Sequence, residues 1–245
     1  MLEQTRGIML GSIRYSDNSS IARLYTEQFG KISLMVRHPK TRKAATKKNI
    51  LQPFFLVDLN LQFKETRELQ QAREININPV LHDIPFNVVK STISFFLAEL
   101  LQKVIKEEEK NKNLFLFLFN AIQLLDNCHA GYAGFHLVFM CELSKYLGFH
   151  PYDNYSEKNK FFNLRDGIFE EKFQSVEISL SESISSYFDK LRKDGFKQLE
   201  LLKLNRTQRN EILDSLMNYY KYHLPEMGQI NSLAVLKQLF DPAIF

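Results

Sequence analysis

A chain of 245 residues with 44% hydrophobic and 24% charged side chains has the make-up of a globular protein with a sizeable core, in one or two domains, and not of a disordered or fibrous one. Two cysteines, Cys128 and Cys141, exclude a disulfide framework and point to a reducing interior. The apolar character of the first residues is broken by Glu3, Gln4, Thr5 and Arg6, and the longest apolar run, LFLFLF at 114–119, is far shorter than the ~20 residues that span a bilayer, so a cytoplasmic protein with no membrane partner is expected.

The net charge of +4 is unevenly spread. The first fifty residues carry ten Lys/Arg against three Asp/Glu, a local +7, which leaves the rest of the chain at −3. Residues 30–52 hold Lys31, Arg37, Lys40, Arg42, Lys43, Lys47 and Lys48 and no acid. A positive patch of this kind attracts polyanions, and the commonest cellular polyanion is nucleic acid.

The first eighty residues alternate with period two. In 31–37, Ile32, Leu34 and Val36 face one way, while Lys31, Ser33, Met35 and Arg37 face the other: a half-buried strand with a cationic wet face. Residues 7–15, 20–28, 52–63 and 68–76 are similar candidates, separated by turn signals at Asp17-Asn18 and Phe29-Gly30. Five short strands in this length predict a small closed barrel or sandwich, with a basic loop, 38–49, between strands three and four. The period changes near Pro79. Pro85 stands at a helix start, followed by Val88, Val89, Ile93, Phe96, Leu97, Leu100, Leu101 and Val104 at helical spacing. Residues 113–127 and 132–147 read as two more helices, with Gly148 as a C-cap. A polar stretch, 152–169, follows, with a hairpin around 163–167. Helices resume at 181–193, at 205–223, where Asn205 and Gln208 have capping-box spacing, and at 232–240. The expected division is 1–78 for the β-domain and 79–245 for the helical domain.

GIMLGSIRYSDNSSIARLYTEQFGKISLMV (7–36), with its Leu24-Tyr25-Thr26 and Gly30-Lys31-Ile32, opens an ordered series of local patterns that resembles the bacterial RecO recombination-mediator family. Pro39-Lys40 and Arg42, then Leu51-Gln52-Pro53-Phe54, and Phe96-Leu97-Ala98-Glu99-Leu100 also look like that family. The likeness is strong over about residues 5–105. It implies an α+β protein, an N-terminal β-barrel of the OB-fold type followed by an all-helical domain. It further implies binding of single- and double-stranded DNA, annealing of complementary strands, and a nucleoid-associated location. The implied protein partners are RecR and the acidic C-terminal tail of single-strand-binding protein, with RecA loading as the outcome. Many family members carry a four-cysteine zinc module after the helix that ends here at Leu147. No cysteine follows Cys141, so a zinc-free insert at about 149–176 is expected, with no cofactor.

The candidate DNA-binding residues are Arg14, Arg23, Lys31, Arg37, Lys40, Arg42, Lys43, Lys47 and Lys48. Charge runs are often no more than solvated loops; against that stand the missing acids and the strand context. Tyr15, Tyr25 and Phe29 are candidates for base stacking, and barrel core is the alternative, above all for Phe29. Cys128, His129, His136, Cys141 and His150 lack the tight pairs of zinc sites, so no metal residues are expected. Glu107-Glu108-Glu109 closes a helix beside Lys110 and Lys112 and reads as a solvated end. There is no G-x-S-x-G, P-loop, H-E-x-x-H or dinucleotide fingerprint, so no catalytic residues are expected. A nucleic-acid-modifying enzyme and an RNA-binding OB protein are the alternatives.

Overall fold

A computed structural model of the chain describes residues 2–37, 50–106 and 110–239. The basic loop carrying Lys40, Arg42, Lys43, Lys47 and Lys48 lies outside the described residues, as does the 107–109 acidic run. The chain forms two compact units that divide between Asn127 and Cys128.

The first unit opens with β1 (Glu3–Ser16), β2 (Ser19–Thr26), β3 (Gly30–Arg37), β4 (Leu56–Leu61) and β5 (Leu69–Ile77). They close a barrel in the order β1-β2-β3-β5-β4. The β3–β5 pair is parallel and the rest are antiparallel. This is the five-stranded barrel of an OB-fold, and the chain is α+β as expected. Period two appears as burial: in β3, Ile32, Leu34 and Val36 fill the barrel while Lys31, Ser33, Met35 and Arg37 lie on its outer face. The fourth strand begins later than the sequence suggests. Residues 50–55 form turns in which Phe54 takes a left-handed φ of 66°, is fully buried, and donates its backbone N–H to Met9 O at 2.7 Å.

Two helices complete this unit, α1 (Val88–Val104) and α2 (Lys112–Asn127). Asn87 caps α1, accepting from the backbone of Val89 and Lys90 at 3.0 and 3.2 Å. The α1 face formed by Ile93, Phe96, Leu97, Leu100, Leu101 and Val104 is buried, each side chain contributing about 1.5–3 kcal/mol of apolar transfer. The helix meets β1 where Gln102 Nε2 donates to Leu10 O at 2.6 Å. Gly11 leaves room for that amide: a Cβ there would lie 2.9 Å from the same nitrogen, and the end of the Gln102 side chain would have to shift. The connection before α1 is pinned by Asp126, whose carboxylate accepts the backbone N–H groups of His82, Asp83 and Ile84 at 2.8–2.9 Å. Lys90, fully buried, donates to Asp126 O at 2.8 Å and pairs with Asp83 at 2.6 Å.

The second unit contains α3 (Phe135–Tyr146), β6 (Phe161–Asn163), β7 (Ile168–Glu170), α4 (Glu182–Asp194), α5 (Arg206–His223) and α6 (Ser232–Leu239), with short 3₁₀ turns between some of them. The capping box at Asn205 and Gln208 forms as its spacing predicts. On α5, Tyr220 donates its hydroxyl to Met140 O at 2.7 Å and Tyr219 to Phe149 O. The insert is built on aromatic and amide side chains. Phe162 packs on Phe169, Phe188 and Tyr219 with ring centroids 4.9–5.3 Å apart. Asn154 pairs with both backbone groups of Phe169, at 2.8 and 2.9 Å. Asn163 Oδ1 accepts from Arg165 and Asp166, which closes the hairpin turn.

Candidate nucleic-acid interface

The outer face of β1–β2–β3 is divided into a covered and an open part by what packs on it. Cross-strand register aligns Tyr25 with Lys31 and with Ile8. This row is covered. Tyr25 is buried, its ring 6.4 Å from Phe115 of α2. Lys31 donates its ammonium to Gln102 O and Ile105 O, at 2.6 and 2.9 Å, on the C-terminal carbonyls of α1. A cation is well placed there, because helix C-terminal carbonyls lack intrahelical donors and carry partial negative charge. The next rows are Gly11–Arg23–Ser33, Ile13–Ile21–Met35 and Ser16–Ser19–Arg37. Arg23, Arg37 and Ile13 are exposed, and Ile21 and Met35 half-buried. Arg23 touches Gln102 Oε1 at 3.2 Å with an otherwise wet guanidinium. The open part is therefore an aliphatic row flanked by arginines.

At the β1–β2 tip, Arg14 is paired with Asp17 at 2.5 Å; both are exposed, so the pair contributes little stability. Tyr15 beside it is 66% exposed. The three aromatic candidates thus differ: Tyr15 is available, Tyr25 is core, and Phe29 is half-buried with its ring stacked on Phe63 at 4.2 Å.

A groove of about 280 Å³ opens beside this face, between β3 and β5, with Met35, Arg37, Ile50, Ala72, Arg73 and Ile75 among its lining residues. Arg73 was not singled out from the sequence, where it lies outside the acid-free run, with Glu74 as its neighbour. Of the barrel's acids, Asp17 and Glu27 are paired with Arg14 and Arg6. The Arg6 guanidinium holds the Glu27 carboxyl below its ordinary range. Asp58 accepts from Asn78, and Glu74 from Asn60 and Asn76. Among the described residues no cluster of three or more His, Cys, Asp or Glu is placed to hold a metal ion. Burial pushes the Cys141 thiol up to about 12 and His136 down to about 3, so the first stays protonated and the second neutral at pH 7.

The comparisons with known proteins agree with this barrel-plus-helices arrangement. Residues 1–79 match the family profile described as "Recombination protein O N terminal", and residues 85–233 the profile described as "Recombination protein O C terminal". The chain is 34% identical over 249 residues to the DNA repair protein RecO of Bacteroides fragilis, covering 98% of this chain and 100% of the relative. It is 35% identical over 239 residues to the DNA repair protein RecO of Flavobacterium psychrophilum, covering 97% and 99% of the two chains. The DNA repair protein RecO of Azobacteroides pseudotrichonymphae is 33% identical over 241 residues, covering 98% and 100%.

Proposed function

The chain belongs to the RecO family, with a role in DNA repair, and on that premise we propose that it is a DNA-binding recombination mediator that pairs complementary strands and is not an enzyme. The observation that carries this reading is the open outer face of β1–β2–β3, where Arg23 and Arg37 flank Ile13, Ile21 and Met35. Such a face neutralises phosphates without reading sequence, and a cationic groove is how OB-folds take single strands. Two strands held on one cationic surface repel each other less, which is the physical requirement of annealing. Arg14 and the loop cations Lys40, Arg42, Lys43, Lys47 and Lys48 extend this surface in the proposal. Lys31 is given the structural role of capping α1.

The same proposal includes helping RecA load onto coated DNA together with RecR, in the cytoplasm at the nucleoid. No helix among the described residues is long and apolar enough to cross a membrane. In the division of labour, 1–78 binds DNA and 79–245 takes the tail of single-strand-binding protein. For that tail the second unit offers a cleft of about 160 Å³ lined by Val138, Leu191, Leu201 and Leu202, with Lys190 and Asp194 on its wall. An apolar cleft beside a cation suits an acidic peptide that ends in an aromatic ring. Arg192 and Lys193, by contrast, are tied to Asp189, and Arg192 also to Asp153.

The test is annealing of labelled complementary strands, bare and coated with single-strand-binding protein, in the presence of magnesium or manganese. Paired strands of unchanged length are expected. Cleaved product would overturn the reading in favour of a nuclease. Replacing the five loop cations with Ala should lower DNA affinity for all sequences. Each lost contact should flatten the slope of log K against log salt by roughly 0.7–0.9. An unchanged slope removes the loop from the interface.

A further inference from the structure

We propose that the groove between β3 and β5 is a slot for one nucleotide of single-stranded DNA, taking the base on its apolar floor and the flanking phosphates on Arg37 and Arg73. The proposal rests on the DNA-binding reading above and gives it a discrete site. Three features of the barrel make the slot. First, the parallel pairing of β3 with β5 is short: Ser33, Leu34 and Met35 align with Leu69, Gln70 and Gln71, and there it stops. Beyond it, Val36 and Arg37 line one wall of the groove and residues 72–75 the other.

Second, β5 is irregular at that point. Leu61 aligns with Ala72 and Asn60 with Glu74, so Arg73 is an extra residue in the ladder. A bulge of this kind bends the strand and re-aims the side chain it carries, and bulges gather at barrel rims and binding sites. Here it places Arg73 on the groove wall.

Third, the chemistry of the lining is divided. Met35, Ile50, Ala72 and Ile75 supply an apolar surface, and Arg37 and Arg73 supply charge. Neither guanidinium has a carboxylate partner among the described residues. Glu74 also lines the groove, and its carboxylate is occupied by the amides of Asn60 and Asn76, both at 3.1 Å. At about 280 Å³ the groove falls just below the roughly 300–1,000 Å³ of small-ligand sites, which suits one ring system and not a stretch of strand. It also adjoins the open face through Met35 and Arg37, so a strand lying on that face can turn one base into it. A base in a duplex is stacked and paired and cannot enter without being extruded. The slot therefore discriminates single strands from double.

The test measures anisotropy of the full-length protein with an oligo-dT, the same oligomer carrying abasic positions, and a duplex. Wild-type protein should bind the intact oligomer several-fold more tightly than the abasic one. Arg73→Ala, at an exposed position, should weaken oligo-dT binding roughly three- to tenfold, as expected for a lost charge-assisted contact. It should also flatten the salt slope by about 0.7 while changing duplex binding much less. Ala72→Phe, which fills the groove, should abolish the preference for intact over abasic DNA; if it fails to fold, Arg73→Ala decides. Wild-type affinity and slope in Arg73→Ala, or equal binding of intact and abasic oligomers by the wild type, would overturn the slot while leaving the DNA-binding reading in place. A wild-type protein that binds no DNA would overturn that reading itself.

Discussion

The two compact units use their cations differently. In the second unit several basic side chains meet acids: Lys145 with Glu142, Lys158 with Glu171, Lys160 with Glu182, Lys237 with Asp214, and Arg192 and Lys193 with Asp189. In the first unit Arg6 and Arg14 also meet acids, Glu27 and Asp17, and beside them stand an inward and an outward set. Lys90 and Lys31 spend their charge on backbone carbonyls and, for Lys90, a carboxylate. Arg23, Arg37 and Arg73 lie exposed on the barrel surface. A count of charges therefore locates the basic region, and only the partners of each charge distinguish a binding surface from a fold-stabilising one.

The sharpest way to break this division is to remove the acid that anchors the chain beside an inward cation: Asp126, whose backbone carbonyl accepts from Lys90 and whose carboxylate holds the connection before α1. Asp126→Ala would leave three backbone N–H groups without their acceptor at a nearly closed site and weaken the anchorage of the connection onto α1 and α2. Breaking a buried charged network costs about 3–5 kcal/mol. Urea unfolding should show the loss as a lower midpoint, and a shift below about 1 kcal/mol would show that the network is dispensable.

A smaller effect is expected from acid in the second unit. Burial, with Arg209 nearby, holds His136 at about 3; burial first and then Lys145 lowers His150; burial lowers His223. These folded-state values lie below the ordinary 6.5, so the unfolded chain binds protons first as pH falls. The stability they contribute is complete above about pH 6.5 and is lost as pH drops toward the folded-state values. One such histidine changes stability by about 1.4 kcal/mol per pH unit in that window, so His136 alone accounts for roughly 2 kcal/mol between pH 6.5 and 5. Urea midpoints at pH 7.5, 6.5 and 5.5 measure this. If His136→Gln retains the full wild-type acid dependence, the buried imidazole is not its source.

How far the sequence reveals the site follows the same contrast. The inner and outer faces of β3 are legible because side-chain direction follows a period of two within one strand. Which outer-face residues stay wet is not, because the cover comes from Gln102, Ile105 and Phe115, some seventy to ninety residues further on. Lys31 and Arg37 stand on the same face of one strand with different fates, and Tyr25 is core although it shares its strand face with the exposed Arg23. Arg73 escapes for two reasons: the acid-free run lies elsewhere, and a parallel pairing between β3 and β5 has no local signature. A break in the alternation at Ala72-Arg73 is the one trace the bulge leaves. The capping box at Asn205 and the hairpin at Asn163 are legible because their chemistry is complete within a few residues.

The finest test separates the two cation sets within β3 itself. Lys31→Met removes a charge from the same strand face as Arg37 while retaining an apolar stem of similar length. Its ammonium donates to two carbonyls at the end of α1 and interacts with the helix dipole, and such contacts contribute about 1–2 kcal/mol when partly buried. Lys31→Met should therefore lower the urea midpoint by that amount and leave the salt dependence of DNA binding nearly unchanged. Arg37→Ala should do the reverse: stability within about 0.5 kcal/mol of wild type, as for most exposed positions, and a salt slope flatter by about 0.7. The two variants remove the same charge only six residues apart on one strand, so long-range electrostatics alone predicts similar losses of affinity for both. If Lys31→Met flattens the slope as much as Arg37→Ala does, the covered part of the face is reached by DNA, and the division into inward and outward cations is wrong.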